Sequence, residues 1–337
     1  MRCWRRALRW AAQAALWAAL AAGHPWASAQ SNWLRVGQTP FAGGLGQALA
    51  SDGRDLYVLR QFFDQTPTRF QRLVVQDGLI VQTDNLAPPP HEARAGTALA
   101  ADPDGNLYAL LGGGYGDRRR HALQFTAGRW RELPPTPLDQ GPGNAMAFVS
   151  HRGQRYLYAV LGAASAQRPA ATAFVRLRLG AIAWERLPDP PWACGDDGAA
   201  LAWDGGEFLY ALQGADCQDQ PSPAFARFYL TLGLWERLPP APQPVDDGGS
   251  LAWAGGQRLY AIAGAEEDAL GLGFFAYDLE AQAWADGVPP LNCPVGSYNG
   301  NRLATIDGRL FYWQGAPPTW QGGPGCDGRG VYLFASR

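Results

Sequence analysis

Short apolar runs with alternating polarity repeat along most of the chain, and turn residues separate them. In one example, residues 199–203 (AALAW) and 208–212 (FLYAL) flank the turn Asp204-Gly205-Gly206. Asp-Gly and Gly-Gly readily adopt the positive φ angles of tight hairpin turns. Each such pair of runs therefore predicts a β-hairpin.

The same hairpin recurs six times at a nearly constant interval. The second run of each hairpin carries an aromatic residue, and successive aromatic residues are 51, 50, 52, 50 and 51 positions apart. These residues are Tyr57, Tyr108, Tyr158, Tyr210, Tyr260 and Phe311. A fixed period of this length is typical of a repeat protein in which each unit forms one supersecondary structure.

Each unit continues with two further predicted strands. A third run follows a loop of variable length, as at residues 225–230, 274–279 and 331–334. A fourth run begins at a tryptophan and leads into proline, which cannot donate a ladder hydrogen bond and so ends the strand. The tryptophans are Trp130, Trp184, Trp235 and Trp284. Each unit is therefore expected to form a four-stranded antiparallel sheet.

Six such sheets predict an all-β fold, a six-bladed β-propeller, because neighbouring blades can then cover each other's apolar faces. The segment at Trp33 has the pattern of a fourth strand, whereas the last unit ends at Arg337 just after its third strand. We therefore expect the N-terminal strand to complete the last blade and close the ring.

These units resemble the kelch-repeat family over residues 33–337. The shared marks are a hydrophobic strand that ends in Gly and a Trp 22 to 26 residues after the Tyr. The double glycine of the family survives only as Gly112-Gly113, and blade one has Arg60 at that point. The resemblance, to repeats like those of the galactose-oxidase central domain, implies a propeller. It implies no single function, because kelch propellers include adaptors, oxidases, mutarotases and lectin-like modules.

The N-terminal segment has a different composition. A basic start with four arginines precedes an apolar run over residues 10–22, and Ala27-Ser28-Ala29 forms a small-x-small motif. This order predicts a signal peptide over residues 1–29 and a single propeller domain over residues 30–337, located in the periplasm or secreted. The apolar run is too short to span a bilayer, so we expect no membrane span in the mature chain.

Composition excludes several functions. All 28 basic residues are Arg, which excludes Schiff-base chemistry at Lys and the Lys-bearing phosphate loop. Removal of the signal peptide leaves 24 Arg against 30 acidic residues, a formal charge of −6. This charge, without a basic stripe, predicts that the protein does not bind nucleic acid. We further expect a monomer with no cofactor and no metal.

Four cysteines remain in the mature chain, and the repeat suggests how they pair. Cys194 and Cys293 precede the first strands of blades four and six, and Cys217 and Cys326 follow the second strands of the same blades. Both kinds of loop lie on one face, here called the top face. We therefore predict the disulfides Cys194–Cys217 and Cys293–Cys326. A four-thiolate metal site is the alternative, but its CxxC spacing is absent.

The residues before each unit's opening glycine are expected to ring the channel mouth on the top face; they include Arg94, Asp197, Asp247 and Tyr298. Five first strands carry Ala or Ser at one position where the sixth carries Arg302. We interpret Arg302, Asp197 and Asp247 as a polar site for a sugar, a carboxylate or a cation, and as candidates for catalysis. The alternative is that Asp-Asp-Gly only forms turns, with which Arg302 pairs structurally.

Trp192 and Trp320 lie in top-face loops, where an exposed Trp could anchor a partner or stack on a sugar ring. The alternative is that they cover neighbouring blades.

The sequence thus predicts an exported module that binds a protein or a glycan through its top-face loops. A second hypothesis is a periplasmic carbohydrate-converting enzyme, similar to a mutarotase or epimerase, with acid/base groups at the mouth. A copper oxidase is disfavoured because His91 and His121 share one blade.

Overall fold

The computed structural model describes residues 32–40, 47–60, 67–113, 119–162, 172–216, 218–264, 273–285, 302–315 and 328–334. The chain in these ranges forms 24 β-strands. They build six antiparallel sheets of four strands each, which confirms the predicted all-β propeller. Among the described residues, no helix has the length and apolar character needed to cross a membrane.

The first strand belongs to the last blade, and the next twelve strands build blades one to three. The N-terminal strand is β1 (Trp33–Gln38). Blade one contains β2 (Ala48–Ser51), β3 (Leu56–Arg60), β4 (Arg69–Gln76) and β5 (Leu79–Leu86). Blade two contains β6 (Ala98–Ala101), β7 (Leu107–Leu110), β8 (Ala122–Thr126) and β9 (Arg129–Glu132). Blade three contains β10 (Ala145–His151), β11 (Gln154–Leu161), β12 (Ala173–Arg178) and β13 (Glu185–Arg186).

The remaining strands build blades four to six. Blade four contains β14 (Ala200–Trp203), β15 (Phe208–Ala215), β16 (Pro221–Tyr229) and β17 (Leu234–Arg237). Blade five contains β18 (Ser250–Trp253), β19 (Arg258–Ile262), β20 (Phe274–Asp278) and β21 (Ala283–Ala285). Blade six contains β22 (Arg302–Ile306), β23 (Arg309–Trp313) and β24 (Gly330–Phe334).

All six blades share one register between their first two strands. In each blade an alanine of the first strand lies opposite the aromatic residue that marks the sequence repeat. The pairs are Ala50–Tyr57, Ala100–Tyr108, Ala147–Tyr158, Ala202–Tyr210, Ala252–Tyr260 and Ala304–Phe311. Near the crowded axis there is room only for a small residue, whereas a large residue is needed to fill the space between blades. The repeat phrase of the sequence is thus a fixed structural hairpin.

The ring closes as expected. In blade six the strand order is β1, β24, β23, β22, so the N-terminal strand supplies the outer edge of the last blade. Trp33 lies opposite Phe334 and is only 4% exposed. Its ring also contacts Phe274 of blade five, with ring centroids 5.0 Å apart. One tryptophan therefore packs across the boundary between the last two blades.

Fourth-strand tryptophans join neighbouring blades by a repeated hydrogen bond. The indole N–H of Trp184 donates to the carbonyl oxygen of Pro134 in the preceding blade at 2.8 Å. Trp235 bonds Pro188 in the same way at 2.8 Å. Trp130 and Trp284 make the corresponding bonds to Ala87 and Pro239. The motif in which Trp leads into proline therefore has two roles. Its indole N–H donates a hydrogen bond to the preceding blade, and a backbone carbonyl at its end accepts one from the following blade.

Candidate functional site

The first strands of all six blades line a central channel. The alanines of the register described above form much of its wall, and the cavity encloses about 290 Å³. The polar side chains that line the cavity where the first strands begin are Thr97, Asn144, Ser250 and Arg302, and Ser51 and Thr305 line it nearer the other ends of their strands. Largely apolar walls with a small number of polar groups are typical of small-molecule sites.

Two equivalent turns hold Asp197 and Asp247 at the mouth of this channel. The carbonyl before each aspartate accepts a hydrogen bond from the amide after the following glycine, at 3.2 Å in blade four and 2.8 Å in blade five. The glycines, Gly198 and Gly248, have φ angles of +82° and +80°. Such a turn requires glycine at its third position. The Asp-Asp-Gly sequence does form a turn, and the turn fixes each second aspartate at the mouth.

These two turns approach each other closely across the boundary between blades four and five. A Cβ atom added at Gly198 would lie 2.1 Å from the carbonyl oxygen of Asp246, and one added at Gly249 would lie 2.3 Å from the carbonyl oxygen of Gly198. Only glycine allows this backbone contact. The contact brings the aspartates of two blades into one electrostatic cluster.

Burial and neighbouring charge raise the pKa of Asp247 to about 8 from an ordinary value of 3.8. Loss of solvation at the mouth is the main cause, and the negative charges of Asp197 and Asp246 add to it. Arg302 opposes the shift by favouring the charged carboxylate. At neutral pH the carboxyl group of Asp247 is therefore mostly protonated.

Arg302 begins β22 and lines the cavity. Burial lowers the pKa of Arg302 to about 10, while Asp197 and Asp247 act in the opposite direction. The guanidinium remains protonated at neutral pH. The structure thus places Arg302, Asp197 and Asp247 close enough to influence one another's charge.

The other predicted site residues lie elsewhere or outside the described residues. Arg94 is half-buried and donates a hydrogen bond to the Glu92 carboxylate at 3.1 Å. Trp192 is half-buried and packs on Trp235, with ring centroids 6.2 Å apart. Tyr298 and Trp320 are outside the described residues.

Cys194 is fully buried and takes part in a disulfide. Cys217, Cys293 and Cys326 lie outside the described residues, so the two predicted pairings stay predictions. The predicted signal peptide over residues 1–29 lies outside them as well.

Asn144 is a polar group of the channel that the sequence reasoning missed. Its Oδ1 accepts a hydrogen bond from the amide of Gly162 at 3.0 Å. Its Nδ2 is buried and has no hydrogen-bond partner among the described residues. The signal in the sequence was available: the position before the first strand carries Gln47, Thr97 and Asn144 in blades one to three but Ala199 and Gly249 in blades four and five.

No protein-family model matches this chain, and no curated protein matches it. The kelch assignment is therefore not confirmed by a family match. Among solved structures, this chain is similar to the structure of YjhT, with a TM-score of 0.61 and 15% sequence identity. The alignment covers 89% of this chain and 95% of the YjhT chain. At this identity the similarity establishes the propeller fold alone.

Proposed function

We propose that this protein binds a carbohydrate at the top-face mouth of its channel. The observation that carries the proposal is the cluster of Asp197, Asp247 and Arg302 above a cavity of about 290 Å³. Carboxylates accept hydrogen bonds from sugar hydroxyls, whereas a guanidinium and a protonated carboxyl donate them. The Asn144 amide adds a donor from a fourth blade, blade three.

The charge of the cluster favours an uncharged polyhydroxyl ligand. Protonation of Asp247 lowers the negative charge of the cluster, and the Arg302 guanidinium offsets the charge of Asp197. The cavity lies at the small end of the range of ligand pockets, roughly 300–1,000 Å³. One small sugar, or the terminal sugar of a glycan, suits both the charge and the size.

We further propose that the protein is an exported, kelch-type binding module. The repeat motifs support the kelch relationship, and the arginine-rich start with its apolar run supports export to the periplasm or the exterior. The buried, disulfide-bonded Cys194 is consistent with an oxidising compartment. In this setting the top-face loops would add specificity for a glycan or for the protein that carries it.

A second candidate function is interconversion of sugar anomers. In this mechanism Asp197 acts as the carboxylate, and Asp247, whose pKa of about 8 keeps it mostly protonated near neutral pH, acts as the carboxyl group. The carboxylate could remove the proton of the anomeric hydroxyl while the carboxyl group protonates the ring oxygen as the C–O ring bond breaks. Reclosure on the other face reverses both transfers and restores the pair, so no co-reactant is consumed.

Calorimetric titration with a panel of neutral hexoses, amino sugars and sugar acids tests the binding proposal. We expect Arg302→Ala and Asp247→Asn each to weaken binding at least about tenfold, because Arg302→Ala removes a charged donor and Asp247→Asn replaces a carboxyl group in a desolvated site. The matched control is Asp139→Asn, since Asp139 pairs with Arg120 at 2.7 Å away from the channel. Circular dichroism verifies that each variant is folded.

Exchange spectroscopy on the bound sugar separates the two functions. Binding without faster exchange between anomers supports the binding module alone. Exchange that is accelerated by the wild type and lost in folded Asp247→Asn supports the enzyme. If no sugar binds, or if both mouth variants bind as well as the wild type, the proposal is wrong.

A further inference from the structure

Three side chains with metal-binding chemistry meet at the top face of blade two, away from the channel. His91 Nε2 lies 2.9 Å from Glu132 Oε1, and His121 Nδ1 lies 3.9 Å from the same oxygen. The two imidazole rings stack with their centroids 3.6 Å apart and an interplanar angle of 22°. One donor atom from each residue lies within 4.8 Å of the other two.

We propose that His91, His121 and Glu132 bind a divalent transition-metal ion, for which zinc is the test ion. Two imidazoles and one carboxylate are a typical ligand set for zinc. In a tetrahedral site with bonds of about 2.0–2.1 Å, neighbouring donor atoms are about 3.3 Å apart. The observed separations of 2.9 and 3.9 Å lie on either side of that value. All three donor atoms lie within 4.8 Å of one another, so side-chain rotations would be needed to bring all of them to bonding distance.

Two of the three ligands are positioned by the hairpin of β8 and β9. Glu132 is the last residue of β9 and lies opposite Leu123 of β8. His121 comes two residues before Leu123, so it projects from the same face of the sheet. Diagonal neighbours of this kind are close enough for long side chains to touch. The hairpin thus holds His121 and Glu132 on one side of the blade.

The third ligand, His91, comes from a loop that is anchored by hydrogen bonds on both sides of it. The loop between β5 and β6 carries His91. At its start, the carbonyl of Ala87 accepts the indole hydrogen bond of Trp130 at 2.8 Å. Two residues after His91, the amide of Ala93, which is fully buried, donates to Thr68 Oγ1 at 2.9 Å. A ligand held between two anchors loses little conformational entropy on binding an ion.

The cluster is open to solvent on one side, which gives an ion a route of entry. The side chains of His91, His121 and Glu132 are 35%, 37% and 53% exposed. Three protein ligands leave one coordination position for water or for a donor from another molecule, as in zinc sites with an open position. The neighbouring Arg119 donates a hydrogen bond to the Glu92 carbonyl oxygen at 3.0 Å.

The opposite face of the propeller offers a matched comparison. His151 in the hairpin of blade three lies 3.1 Å from Glu207. This pair has the same two chemical groups as His91 and Glu132, but the structure describes no second imidazole beside it. A His–Glu pair alone is a hydrogen-bonded contact with too few ligands for tight zinc binding. His151→Ala is therefore the control variant.

The experiment is equilibrium dialysis of the purified full-length chain against Zn²⁺, with bound metal measured by atomic emission. We expect one zinc ion per chain, with His121→Ala and Glu132→Gln each weakening binding more than about tenfold, the lower bound already seen for partners of metal ligands. His151→Ala should bind zinc as the wild type does. Far-ultraviolet circular dichroism shows whether each variant remains folded.

Cobalt substitution gives a second readout that does not depend on affinity. Co²⁺ in a site with three protein ligands should produce visible absorption bands that disappear in folded His121→Ala and persist in His151→Ala. The proposal is overturned if the wild type retains no zinc after dialysis. It is equally overturned if His121→Ala and Glu132→Gln bind zinc as tightly as the wild type, which would place the ion elsewhere.

Discussion

Single residues determine the geometry and the charge of the channel mouth. Gly198 has a positive φ and no Cβ, and both properties are needed for its turn to stack on the next blade's turn. Asp197 and Asp247 owe their proximity to that stacking, and Arg302 supplies the positive charge that faces them. The raised pKa of Asp247 therefore follows from a glycine in the neighbouring turn as much as from the aspartate itself.

This raised pKa predicts a pH dependence of stability. Asp247 titrates near 3.8 when unfolded and near 8 when folded, so between these values the folded state holds an extra proton. Stability contributed by this group is complete below pH 4 and falls as the pH rises toward 8, by at most about 1.4 kcal/mol per pH unit. Asp247→Asn should remove this fall and be more stable than the wild type at pH 8.

Urea unfolding at several pH values between 4 and 8 measures the effect. The control is Asp104→Asn, whose carboxylate is exposed and pairs with Arg155 on the opposite face. An unchanged pH profile in Asp247→Asn would show that Asp247 titrates in its ordinary range.

The strands and their connections explain why the blades stay together. Each sheet buries both faces against neighbours, and aromatic residues of the second, third and fourth strands fill the space between blades. The fourth-strand tryptophans of blades two to five each add a directed hydrogen bond to the blade before. The sequence indicated where these four tryptophans lie in their repeats, but it did not indicate that their partners belong to another repeat.

Replacing Trp184 by Phe tests this connection. The change keeps most of the apolar ring but removes the N–H that bonds Pro134 at 2.8 Å, so we expect a loss of about 1 kcal/mol in unfolding free energy. Trp203→Phe is the matched control, because its N–H bonds Gly206 within its own exposed hairpin turn. Chemical denaturation of both variants should give the smaller loss for Trp203→Phe. Equal losses would show that the hydrogen bond between blades stabilises the protein no more than one within a hairpin turn.

At the scale of the whole molecule, stability depends on closing the ring. β1 pairs with β24, so residues about 300 positions apart in the sequence share one sheet, as in the pair Trp33–Phe334. Trp33 also packs on blade five through Phe274. Repeat proteins are stabilised by contacts between neighbours, and an open ring would leave two blades each with an uncovered face.

Trp33→Ala should therefore destabilise the protein by about 3–5 kcal/mol, the usual cost of removing a large buried aromatic side chain. Leu34→Ala in the same strand is the control, because Leu34 is 58% exposed and should cost less than about 0.5 kcal/mol. Urea unfolding followed by tryptophan fluorescence and circular dichroism measures both. A small effect of Trp33→Ala would show that the ring does not depend on this packing.

The fold could be predicted almost completely from the sequence. A blade is a local structure, because its strands are joined in order by short turns and its apolar positions alternate along each strand. For that reason the hairpins, the number of blades and the closure by the N-terminal strand were all predicted correctly. Blade one was predicted without a fourth-strand tryptophan, and β5 forms there without one.

The candidate sites could be predicted only in part, and the physical reason is distance along the chain. The sequence alone determined the repeat, the all-arginine basic set and the exceptional position of Arg302 in its strand. Only the tertiary structure decided that Arg302 meets aspartates from two other blades and that His91 and His121 stack beside Glu132. Burial and charge coupling depend on contacts between elements far apart in sequence, and those contacts exist only once the ring has closed.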